Sequence, residues 1–152
     1  MLRLILAAGA TAIATAGLAQ EMALPPLKAQ ASPEAVVEEH VAALNVCDWD
    51  RIMAQYPDDA EIHLPGGTVV KGREAIGALF LGFCKPVGEG GLIGITFTPE
   101  QSFLVGGTLN VQWKAEADFL AEPYLGSDAY VTRDGMMAAM VSTFDGAELK
   151  LK

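Results

Sequence analysis

Hydrophobic and polar positions alternate with two different periods along this chain, mostly helical in its first half and two in its second. Between residues 33 and 83 the apolar side chains recur at helical spacing. Val37, Val41 and Leu44 fall on one helical face, with His40 among them. Trp49, Ile52, Met53 and Tyr56 follow at i, i+3, i+4 and i+7, and Ile76, Leu79, Phe80 and Phe83 form a third stripe. Ser32-Pro33-Glu34 is a helix start: a capping hydroxyl, proline in the first turn and an acid at the positive end of the helix dipole. Asp48 is placed to cap the second helix and Pro57 to stop it. Between the second and third stripes, residues 60–64 alternate with period two, Pro65-Gly66-Gly67 turns, and residues 68–71 return.

Beyond residue 91 the period is two throughout. Residues 92–98 read as a strand ended by Pro99. Residues 102–105 lead into a Gly106-Gly107 turn. In residues 109–117, Leu109, Val111, Trp113, Ala115 and Ala117 lie on one face, with Asn110, Gln112, Lys114 and Glu116 on the other. Residues 126–133 and 136–144 make a hairpin about Asp134-Gly135. Helices followed by a run of antiparallel strands predict an α+β domain with the helices on one face of a sheet.

The first 19 residues have a different character. A basic Met-Leu-Arg start, an apolar stretch over residues 4–16 and small residues Gly17 and Ala19 before Gln20 form the pattern of a secretory signal peptide. The stretch is short and rich in Ala and Gly for a membrane span, so no stable membrane insertion is expected. Residues 20–31, with Pro25-Pro26, read as a tether, and residues 32–152 as one domain. A periplasmic or secreted location follows.

Charge narrows the partners. Without the leader, nine basic residues face nineteen acidic ones, a net charge near −10. Such a surface repels phosphate backbones, so nucleic acid is not expected as a partner. The two cysteines, Cys47 and Cys84, lie 37 residues apart. In an exported protein a disulfide between them is the expected state, worth roughly 4 kcal/mol through loop closure; two buried free thiols are the alternative. Two histidines 23 residues apart, with no acid at ligand spacing, make no metal site. No phosphate-binding glycine loop or nucleophile elbow is present, so no cofactor is expected.

The segments VAALNVCDWD, PDDAEIHLPGG, KGREAIGALF and GSDAYVTRDGMM, in that order, resemble the nuclear-transport-factor-2-like superfamily, and most closely its SnoaL-like and ketosteroid-isomerase-like members. The resemblance implies a cone-shaped curved antiparallel sheet covered by N-terminal helices, with a pocket at the wide end. Ketosteroid isomerases place a carboxylate base just before a proline on the first strand, and an oxyanion hole from a first-helix Tyr and a late-strand acid. Here the base position holds Leu64, which cannot take a proton. The Tyr position holds His40 and the late-strand acid falls on Asp128. His40 and Asp128 are thus the candidate catalytic residues of a rearranged isomerase, lyase or hydrolase site. Plain structural roles, a satisfied core histidine and a turn or cap aspartate, are the alternatives. His63 is expected at the surface or in a dimer contact.

The first functional reading is a pocket that binds a small apolar molecule, lined by Leu64, Phe80, Phe97, Trp113 and Met140, with Phe103, Met136 and Met137 adding to its apolar wall. A homodimer through the outer sheet face, carrying Gln112, Lys114 and Glu116, is expected from the resemblance.

Overall fold

The computed structural model describes residues 23–152. The signal-peptide reading falls on residues outside that range. Three helices precede the main sheet: α1 (Pro33–Asn45), α2 (Trp49–Met53) and α3 (Arg73–Phe83). A small hairpin of β1 (Glu61–His63) and β2 (Val69–Lys71) stands between α2 and α3. Then come β3 (Thr96–Val105), β4 (Thr108–Glu116), β5 (Tyr124–Arg133) and β6 (Met136–Ser142). All six strands form one curved sheet in the order β2-β1-β6-β5-β4-β3. Its pairs are antiparallel except β1 with β6, which run parallel.

Local chemistry accounts for the element ends. Ser32 Oγ accepts the Ala35 amide at 3.2 Å and Pro33 opens α1. Asp48 caps α2 by accepting from the Arg51 amide at 3.1 Å. The β5–β6 hairpin closes through Asp134 (φ 53°) and Gly135 (φ 74°), both in the left-handed region that a two-residue turn of this hand requires. The core is the concave face of the sheet with α1 and α2 against it. Val36, Ile52, Met53, Tyr56, Ile62, Ile76, Ile95, Val111 and Met137 are almost wholly buried there.

The end of α1 is fastened to β3 by one side chain. Asn45 donates from Nδ2 to the Phe97 carbonyl at 2.9 Å and accepts the Phe97 amide on Oδ1 at 2.8 Å, as a strand neighbour would. A second fastening is covalent: Cys47 and Cys84 are bonded, joining the ends of α1 and α3. Cys47 takes φ 51° where the chain turns from α1 into α2.

Several expectations are corrected. The second helix ends at Met53, and Tyr56 reaches the core from the turn beyond it. The strand expected over residues 92–98 begins only at Thr96, because Gly94 (φ 94°) turns the chain first. Pro99 does not end that strand. It lies inside β3, where an edge strand and a register shift between Pro99 and Gln101 remove the need for its missing N–H. That shift turns Phe103 to the outer face, where it is 56% exposed, so it does not contribute to the cavity wall. Residues 23–31 do not hang free either. The Lys28 amide bonds to the Ala54 carbonyl, the Gln30 amide to the Gly135 carbonyl (both 2.8 Å), and Arg73 donates to the carbonyls of Pro25 and Met53.

Candidate functional site

The concave face and α1 and α3 enclose a cavity of about 540 Å³. α1 contributes His40 and Leu44. α3, through Leu79, Phe80 and Phe83, forms the opposite wall, and Leu64 and Pro65 close the side next to β1. β3, β5 and β6 supply Phe97, Asp128, Met140 and Ser142, and the chain after β6 adds Phe144 and Asp145. The sequence-derived candidates His40, Asp128, Leu64, Phe80, Phe97 and Met140 thus surround one space. Trp113 is the exception. It points to the concave side as expected, but it is 3% exposed and lies behind Phe97 and Phe144, with ring centroids 5.2 and 6.1 Å away. Its place is possible because Gly126 faces it across the strand pair: a Cβ there would meet the indole at 2.3 Å. Met136 and Met137 are buried in the core and Met140 alone of the three faces the cavity.

His40 is 1% exposed and is held among aromatic rings: Tyr56, Phe80 and Tyr130 lie with centroids 5.8, 5.7 and 5.8 Å from it. Its Nδ1 has no hydrogen-bond partner. Burial without a carboxylate partner lowers its pKa to about 4, so the imidazole is neutral at pH 7. A neutral imidazole can donate one hydrogen bond and accept another.

Asp128 is 9% exposed. Its Oδ2 accepts from the Tyr130 hydroxyl at 3.0 Å and its Oδ1 from the Thr143 amide at 3.2 Å. Burial raises its pKa above the ordinary carboxyl value, and hydrogen bonding pulls the other way. Trp113 lies near the same carboxyl, although its Nε1 makes no hydrogen bond of normal geometry. Tyr56 and Tyr130 both have raised pKa values, from burial first and the Asp128 charge second, so their hydroxyls stay protonated.

No hydrogen bond joins His40 directly to Asp128 among the described residues. Tyr130 stands beside both, its ring against the imidazole and its hydroxyl on the carboxyl. Sequence reasoning missed Tyr56 and Tyr130. The i, i+2 spacing of Asp128 and Tyr130 in one strand was the available signal for the second. His63 lies at the surface, with Nε2 3.0 Å from Glu61 Oε2. Among the described residues no three His, Cys, Asp or Glu side chains gather to hold a metal ion, and no helix is long and apolar enough to cross a membrane.

Solved structures with similar folds span several activities. A polyketide cyclase candidate from Sinorhizobium meliloti matches at 19% identity with a TM-score of 0.60, covering 71% of this chain and 93% of its own. An LEH-like epoxide hydrolase from M.tuberculosis matches at 16% identity and TM-score 0.58, over 75% and 83%. A computationally designed 17-OHP binder matches at 18% and 0.64, over 81% and 98%. At such identities these likenesses establish the fold alone. No curated protein matches the sequence. The model of the SnoaL-like domain matches residues 37–146, well over half of the chain. The chain therefore belongs to the SnoaL-like domain family.

Proposed function

We propose that this protein binds a small, largely apolar molecule in the cavity between α1, α3 and the sheet, with His40 and Asp128 at the polar end of the site. The observation that carries this reading is the contrast within one wall. Leu44, Leu64, Leu79, Phe80, Phe83, Phe97, Met140 and Phe144 form an apolar lining, interrupted by a histidine whose Nδ1 has no partner and by a buried carboxyl. Ligand sites combine apolar walls with a few polar groups in this way. Leu64 removes the usual isomerase base, so the reading is of binding without that chemistry. Differential scanning fluorimetry with the neutral dye Nile red and a panel of small apolar molecules tests it. Saturable stabilisation supports the reading, and no shift with any compound contradicts it.

A second reading makes the same site catalytic, as an isomerase, lyase or hydrolase with His40 as proton acceptor and Asp128 as a second polar group of the same lining. It is supported by the two residues opening onto one space and by the absence of a protonated imidazole at pH 7. Turnover of a ketone or epoxide panel that disappears in His40→Ala would establish it.

The Cys47–Cys84 bond is compatible with an oxidising compartment and supports export, together with the pattern of residues 1–19. The outer sheet face supports a homodimer. Phe103, Val105, Leu125 and Val141 are exposed there beside uncharged Asn110 and Gln112, with Glu61 and Lys114 toward the edges.

A further inference from the structure

The lining of the cavity is asymmetric in charge. Among the described residues around it are two carboxylates, Asp128 and Asp145, and no lysine or arginine. None of the ion pairs among the described residues involves either acid. His40 cannot balance Asp128, since its imidazole is neutral at pH 7. Both Asp128 oxygens accept a hydrogen bond, from Tyr130 and from the Thr143 amide, and these favour the ionised form against the burial that raises its pKa. A buried carboxylate without a cation is costly, and a cation brought by a ligand relieves that cost.

The apolar wall suits the same kind of guest. Phe83, Phe97 and Phe144 pack together with centroids 5.7 to 6.1 Å apart and all reach the cavity, as does Phe80. Ring faces attract cations as well as hydrocarbon. His40, 1% exposed and with Nδ1 unpartnered, adds an unspent polar side chain to the same lining. The net charge of −9 draws cations towards the molecule and repels anions.

From this geometry we infer that the ligand class is an organic amine: an apolar, preferably aromatic body against the phenylalanines, and an ammonium group held by Asp128 with Asp145 at the entrance. This deepens the binding reading and rests on it. Carboxylate and phosphate ligands are rejected because no cation in the lining can receive them.

The test is isothermal titration of the mature protein at pH 7 with three ligands on one skeleton: 4-phenylbutylamine, 4-phenylbutanol and 4-phenylbutyrate. Nile red is titrated in parallel as a neutral probe of the cavity. The expected result is an amine at least tenfold tighter than the alcohol, no detectable binding of the carboxylate, and weakening of the amine alone as salt rises. Asp128→Asn is expected to bring the amine to the level of the alcohol. Asp145→Asn, at a surface loop, gives a smaller loss in the same direction and serves if the first variant does not fold. An alcohol that binds as tightly as the amine while Nile red still binds overturns the amine inference and leaves the cavity reading intact. Failure of Nile red and all three ligands overturns both.

Discussion

The Tyr130 hydroxyl donates to Asp128 Oδ2 at 3.0 Å from the next inward position of the same strand. The pair links the chemistry of the site to the regularity of the sheet, because i and i+2 on a strand share a face. Asp128 faces the cavity, Tyr130 packs its ring against His40, and the hydrogen bond joins the two residues. Tyr130→Phe removes that donor and leaves the ring. It should raise the Asp128 pKa further, and the carboxyl resonance in an NMR titration is the readout. An unchanged titration would mean the hydrogen bond does not hold the carboxyl.

Acid should weaken the fold through His40. Its folded pKa is about 4 against 6.5 for an ordinary histidine, so the folded state binds fewer protons than the unfolded chain as pH falls between these values. Stability is therefore full above pH 6.5 and declines towards pH 4, by about 3 kcal/mol for this group. Asp128, with a raised pKa, acts in the opposite direction at the acidic end. Urea unfolding of His40→Gln and the parent from pH 7.5 to 4.5 isolates the histidine: the parent should lose stability faster. Parallel curves would show that His40 is protonated without cost.

Asn45 is predicted to be a structural anchor. Asn45→Ala removes two partly buried hydrogen bonds to Phe97 and leaves that residue's amide and carbonyl without partners. A loss of about 2–3 kcal/mol is expected by denaturant unfolding. Loss below about 0.5 kcal/mol would mean water replaces the side chain.

The disulfide should be present in native protein and should matter. Thiol titration of unreduced protein is expected to detect no free cysteine, since both are bonded. The double variant Cys47→Ser/Cys84→Ser should lose several kcal/mol, up to roughly 4 by loop closure. Its α3 end should also loosen at the cavity wall, seen as faster hydrogen exchange around Phe83. Two titratable thiols in native protein would contradict the bond.

Pairing of two copies through the outer face predicts a dimeric mass by light scattering and a monomeric mass for Phe103→Lys, because Phe103 is 56% exposed on that face, on the edge strand β3. A monomer for the parent at every concentration would remove the proposal.

Much of the architecture was legible because the signals were local. The strict alternation from Leu109 to Ala117 put Leu109, Val111, Trp113 and Ala115 on the buried face, where they lie. What failed depended on non-local facts. Counting by twos from Phe97 places Phe103 inward, and only the register shift after Pro99 reverses it. Trp113 had the right face, but facing the core does not say whether a neighbour such as Phe97 stands between it and the cavity. The docking of residues 23–31 depends on Arg73, 48 residues beyond its partner Pro25, which no local pattern could reveal. The candidate site was half legible. His40 and Asp128 came from the family resemblance, whereas Tyr56 and Tyr130 became visible only with the fold.

The central claim is that the space bounded by His40, Leu64, Phe80 and Met140 is a ligand site. The most direct measurement is Nile red binding, by fluorescence, to the parent and to Leu64→Trp, which fills the cavity from its β1 side. The account predicts saturable binding by the parent and at least tenfold weaker binding by the variant, with its cooperative unfolding retained. Equal binding by both, or none by the parent, would contradict it.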